Sequence, residues 1–137
     1  MKNTNILLYL LFSLFFYAIG NAQSDNTLKI LGCWEVRQVI FTEETEDSDE
    51  ISMDAIGTII CFEKDGKFSN TKGTTIAKGN YSLSENGRTL YQNMELETTV
   101  PSNHIAEDIP GQIIMLSDTE LQIQAKEMIL YFRRSDQ

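Results

Sequence analysis

The chain has 137 residues, 20 acidic against 11 basic side chains, and a formal net charge of −9. An acid excess of this size argues against nucleic acid and anionic membrane surfaces as partners, since both would repel it. It favours solubility without naming a function, and the length suits one domain rather than two.

Lys2 opens a short N-terminal region, and residues 6–19 are apolar apart from Ser13. That run is long enough for the core of a signal peptide and too short to span a membrane. Gly20-Asn21-Ala22 places small residues at −3 and −1 of a cleavage site. The expectation is a signal peptide over 1–22, cut after Ala22, and a single secreted or periplasmic domain over 23–137. A retained membrane anchor is the alternative. Ile30-Leu31-Gly32-Cys33 mimics a lipoprotein acylation box, but the polar residues 21–29 separate it from the apolar core.

Residues 23–31 suit a short helix, with Ser24 or Asp25 as cap and Leu28 and Leu31 on one side. It is too short to stand alone and must lean on another element. A first strand follows over 33–41. At a period of two, Trp34, Val36, Gln38 and Ile40 share its inward face. Trp34 is the sole Trp and stands one residue beyond Gly32, which suggests a plug at one end of a closed sheet. Residues 42–54 carry seven acids and read as a solvated loop.

The second strand spans 57–64 and the third begins at Lys67, with Ile60, Phe62 and Phe68 inward. Asp65-Gly66 between them is a hairpin signal of type I′, whose central residues both need positive φ. The fourth strand covers 75–84 with Tyr81 and Leu83 inward, and Gly79 within it marks a bulge or bend. Asn86-Gly87 is a second turn, before a fifth strand over 88–95. Pro101 and Pro110 bound a long connection over 96–111. Three more strands follow, over 112–117, 120–126 and 128–134, with Leu121 and Ile123 inward on the seventh. Eight short strands joined mostly by tight turns predict an all-β fold. An up-and-down antiparallel barrel is favoured over a sandwich, because chain neighbours pair and closure removes exposed edges.

Gly32-x-Trp34 resembles the N-terminal signature of lipocalins. Phe62-Glu63-Lys64-Asp65-Gly66-Lys67-Phe68, Gly79-Asn80-Tyr81-Ser82-Leu83-Ser84, Gly87-Arg88-Thr89-Leu90 and Leu130-Tyr131-Phe132-Arg133-Arg134 extend the likeness. Together they resemble the short lipocalin-like domains of exported bacterial proteins over most of residues 28–134. The resemblance implies an eight-stranded barrel in which Arg133 or Arg134, near the end of the last strand, lies across Trp34. It also implies a non-catalytic protein that binds a small, largely apolar ligand inside the barrel. The chain departs from full-length lipocalins in showing no middle signature and no helix and further strand after the eighth.

Candidate ligand contacts are the polar atoms of Gln38, Tyr81 and Tyr91, with Phe62 and Phe68 as apolar wall; the facing of the fifth strand stays open, since Leu90 and Tyr91 are apolar on both parities. Cys33 and Cys61 lie on neighbouring antiparallel strands and either form a disulfide or remain two thiols. His104, the sole His, has no Cys or second His to share a zinc ion. The acidic run lacks the spacing and turn glycine of a calcium loop. With no nucleophile–base–acid set and no phosphate or dinucleotide fingerprint, neither catalysis, a metal nor a cofactor is expected. The alternative to ligand binding is a protein-interaction or inhibitory module with a filled barrel. It would act through the acidic 42–54 loop and the 96–111 connection.

Overall fold

A computed structural model of the chain describes residues 25–95 and 110–136. The predicted leader with its cleavage site, and residues 96–109 of the long connection, His104 among them, lie outside the described residues.

Eight antiparallel strands close into a barrel in chain order. They are β1 (Gly32–Phe41), β2 (Ile59–Phe62), β3 (Lys67–Lys72), β4 (Thr75–Leu83), β5 (Thr89–Met94), β6 (Gly111–Leu116), β7 (Glu120–Ala125) and β8 (Met128–Ser135). β8 returns alongside β1 from Cys33 opposite Ser135 to Phe41 opposite Met128, which closes the ring. Residues 25–29 form a short helix, α1, and a second helix, α2 (Ser48–Ala55), lies between β1 and β2.

The alternation of apolar side chains explains the core. Trp34 and Val36 from β1, Phe62 from β2, Phe68 from β3, Leu90 from β5, Leu121 and Ile123 from β7 and Phe132 from β8 are all buried. Each such side chain contributes about 1.5–3 kcal/mol on leaving water. The rings of Phe62 and Tyr81 meet edge to face at 4.9 Å, so aromatic packing is concentrated on one side of the interior.

The inward face of β1 changes at residue 37. Val36 stands opposite Phe132 but Gln38 opposite Tyr131, so Arg37 is an extra residue and β1 is bulged there. Every side chain beyond it changes face. Gln38 and Ile40, expected inside, are exposed, and Val39 packs against the core instead. A second bulge lies in β6 between Ile113 and Met115. Gly79, expected to mark a bulge, sits in unbroken register with both neighbours.

Its role is close approach. A Cβ at Gly79 would run into the Asn93 carbonyl oxygen and lie 2.7 Å from Phe68 Cε1. Gly79→Ala is therefore expected to destabilise the protein by about 1–3 kcal/mol, read as a lower urea midpoint.

The Asp65-Gly66 turn is not type I′. Gly66 has φ +80° while Asp65 stays at negative φ, and the Gly66 N–H donates to the Glu63 carbonyl. This is a type I turn followed by a left-handed glycine, the usual three-residue hairpin loop. The acidic segment is also more ordered than its charge suggested, since its second half is α2. Asp49 and Glu50 occupy the first turn, where the helix dipole favours negative charge. Ser48 is buried and Ala55 packs against the core, so the helix is held by tertiary contact.

Candidate functional site

The two ends of the barrel differ. At the start of β1, Gly32 adopts φ +106°, and a Cβ there would lie 2.8 Å from Arg134 Nη1. The positive φ calls for glycine, and any side chain here would also push the guanidinium aside. Trp34 is fully buried and its indole N–H donates to the Ile30 carbonyl at 2.8 Å. The Arg134 guanidinium lies over the indole, its Cζ 4.1 Å from the ring centroid, a contact of about 0.5–2 kcal/mol. Its nitrogens donate to the carbonyls of Leu31 at 2.7 Å, Lys29 at 2.7 Å and Asp118 at 2.5 Å. One side chain thus ties the end of α1 to the β6–β7 turn. The Asn26 amide donates to the Gly87 carbonyl, and Ile30 is fully buried, so α1 seals this end.

Cys33 stands directly opposite Cys61 in the β1–β2 register, and the two form a disulfide just outside this plug.

The other end is built differently. β2 pairs with β1 only from Gly32 to Glu35, so the second half of β1 has no β2 neighbour. α2 lies against β1 instead, anchored through Val36, whose backbone bonds Gly57 and Thr58 at 2.9 Å each. Across the helix, the Lys72 ammonium donates to the carbonyls of Met53 and Ile56, a favourable place for a cation at a helix C-terminus. The Thr45 N–H donates to Ser48 Oγ at 2.8 Å, which fixes the turn into the helix.

Between β1 and α2 this leaves a cavity of about 320 Å³. Val39, Ile40 and Phe41 form its apolar wall, while Thr45, Ser48 and Ser52 supply hydroxyls and Glu44 and Asp49 stand at the rim. The volume falls at the lower end of the range used by small-molecule sites, and the lining is divided, apolar on the β1 side and polar on the α2 side.

None of the five expected ligand contacts lines this cavity. Gln38 is turned out by the bulge, and Tyr91 is 46% exposed on the outer face of β5. Phe62 and Phe68 are buried in the packed core. Tyr81 is inward, but its hydroxyl donates to the Glu63 carbonyl at 2.7 Å. Of the two signature arginines, Arg134 covers Trp34, while Arg133 is exposed on the outer face. Val39, Phe41, Thr45, Ser48 and Ser52 went unnoticed because the bulge hid the first two and the acid-rich composition hid the others. No local signal marked the helix, because the eight residues Ser48–Ala55 are too few to show a period.

The Tyr81 hydroxyl is held above its ordinary pKa of 10.0, mainly by burial and then by the charges of Asp65 and Glu63. Because the folded value is the higher one, this contribution to stability is intact below about pH 10 and is lost as pH rises through the folded value. Alkaline titration of stability should therefore fall less steeply for Tyr81→Phe than for the parent, measured by urea midpoints across that window.

Among the described residues no three His, Cys, Asp or Glu side chains gather as a metal site. No family model matches the chain, and no curated protein matches it significantly. Solved structures do. A lipocalin-like protein from Bacteroides uniformis is 22% identical with a TM-score of 0.59, over 78% of this chain and 99% of that one. An uncharacterized protein from Bacteroides eggerthii is 12% identical with a TM-score of 0.53, over 77% and 98%. A protein of the DUF4847 family from Bacteroides vulgatus is 13% identical, also at 0.53, over 82% and 98%. With the closed eight-stranded ring and the Gly32–Trp34–Arg134 plug, these likenesses show that the chain has the lipocalin-like barrel fold.

Proposed function

We propose that this protein is an exported, non-catalytic barrel that binds at its α2 end a small molecule with one apolar face and one hydrogen-bonding face. The observation that carries the reading is the asymmetry of the barrel. One end is packed solid around Trp34, and the other keeps a cavity of about 320 Å³ behind Val39 and Phe41. Export draws support from the Cys33–Cys61 disulfide, which suits an oxidising compartment, and from the leader-like residues 1–22.

Native mass spectrometry of protein purified from its own host tests both parts. The expected polypeptide begins at Gln23 and carries a retained small molecule, which Ser52→Trp removes by filling the cavity. A bare polypeptide, or one whose adduct survives Ser52→Trp, contradicts ligand binding at this end. Retention of residues 1–22 contradicts cleavage.

One observation favours the interaction module as a second reading. Ile51, Met53 and Ile56 are 41%, 69% and 42% exposed on or beside α2, amid acidic neighbours. A partner protein held through this face would be lost on Met53→Glu and kept on Ser52→Trp.

A further inference from the structure

A second concavity lies on the outer wall, on the opposite face of the strands from the core. It spans β7, β8 and β1, encloses about 440 Å³ and is lined by Arg37, Gln38, Glu120, Gln122, Tyr131 and Arg133 together with Phe132. The register orders these side chains into two rows across three strands. In one row Tyr131 stands opposite Gln38 on one side and Gln122 on the other. In the next, Arg133 stands between Glu35 and Glu120. The bulge pushes the extra residue, Arg37, into the gap between the rows, where it pairs with Glu35 at 2.8 Å. The grid measures about 10 by 7 Å from strand and residue spacings.

Its chemistry is selective. Of the two lining arginines, Arg133 stands opposite Glu120 and Arg37 is paired with Glu35 beside the groove, so little net charge is left to favour an ion. Two amides and a phenol both donate and accept, the guanidinium groups only donate, and the carboxylates only accept. A ligand matching this set must carry many groups that donate and accept at once, which is the property of hydroxyls. The Tyr131 ring at the centre of its row gives a flat surface with a negative face, complementary to the weakly positive C–H face of a sugar ring. We propose that this groove binds an uncharged carbohydrate of one or two rings. Tyr131 would stack on it, while Gln38, Gln122, Glu120 and Arg133 engage its hydroxyls. This site is independent of the cavity beside α2.

The test is a nuclear magnetic resonance titration of the intact disulfide-bonded protein with cellobiose, maltose, lactose and chitobiose, and with sodium sulfate as an anion probe. At least one disaccharide is expected to give saturable shifts at the Gln38 and Gln122 side-chain amides and at the backbone of 131 and 133. Tyr131→Ala should weaken that binding about tenfold, and Gln122→Ala should weaken it without touching the ring. Since both side chains lie on the outer face, the spectrum elsewhere serves as the check on folding. The proposal is overturned if no disaccharide gives saturable shifts there. It is equally overturned if neither variant weakens binding, or if sulfate binds the groove in preference to every sugar.

Discussion

Replacing Trp34 by Ala is expected to lower the stability of the protein by about 3–5 kcal/mol, the largest effect of any single substitution in the barrel. Three losses coincide at this residue. The indole is fully buried against neighbours that belong to several strands, so its removal leaves a void at the plugged end. The Ile30 carbonyl loses the indole N–H that it accepts at 2.8 Å, which weakens the hold on α1. Arg134 loses the ring beneath its guanidinium, and its bonds to Lys29, Leu31 and Asp118 then depend on an unsupported side chain. Trp34→Phe separates these terms. It keeps most of the packing and forfeits the N–H, which costs about 1 kcal/mol for the hydrogen bond in addition to the volume change. Because Trp34 is the sole Trp, far-UV circular dichroism is the appropriate signal for urea titration. A Trp34→Ala midpoint within error of the parent would show that the indole does not close the barrel.

Breaking the Cys33–Cys61 disulfide is expected to cost about 3–4 kcal/mol in the chain-entropy description. The bond closes a loop of sequence separation 28 that includes the acidic segment and α2. Its effect is exerted mainly on the unfolded chain, because in the folded state β1 and β2 already hold residues 33 and 61 side by side. The double variant Cys33→Ala/Cys61→Ala should consequently keep the spectrum of the native barrel while unfolding at a lower urea concentration. Equal midpoints for the oxidised parent and the double variant would contradict this, and so would loss of the folded spectrum in the variant without denaturant.

Much of this barrel is written in local patterns. Period-two alternation in β2, β3, β4 and β7 identifies Phe62, Phe68, Tyr81, Leu121 and Ile123 as inward, and glycine after a polar residue marks the turns at Gly66 and Gly87. Gly32-x-Trp34 and an arginine near the end of the last strand are legible because close approach and positive φ leave glycine little competition. What could not be read is what depends on one extra residue or on partners distant in sequence. The bulge at Arg37 reverses the facing of Gln38 and Ile40 without any proline or glycine to announce it. Two turns of helix in α2 are too short for a periodic signal and are stabilised by Val36 and Lys72, which lie outside the helix. The cavity beside β1 follows from both, so its lining was invisible for the same reasons.

The claim on which the functional account rests is that the two ends of the barrel play different parts. It is tested most directly by adding the small neutral nitroxide TEMPO to the isotope-labelled protein and recording which amide signals are broadened. The account predicts saturable broadening at residues 39–41 and 48–52, with the Trp34 indole N–H signal untouched. Broadening centred on Trp34, or spread evenly over the surface, would contradict it.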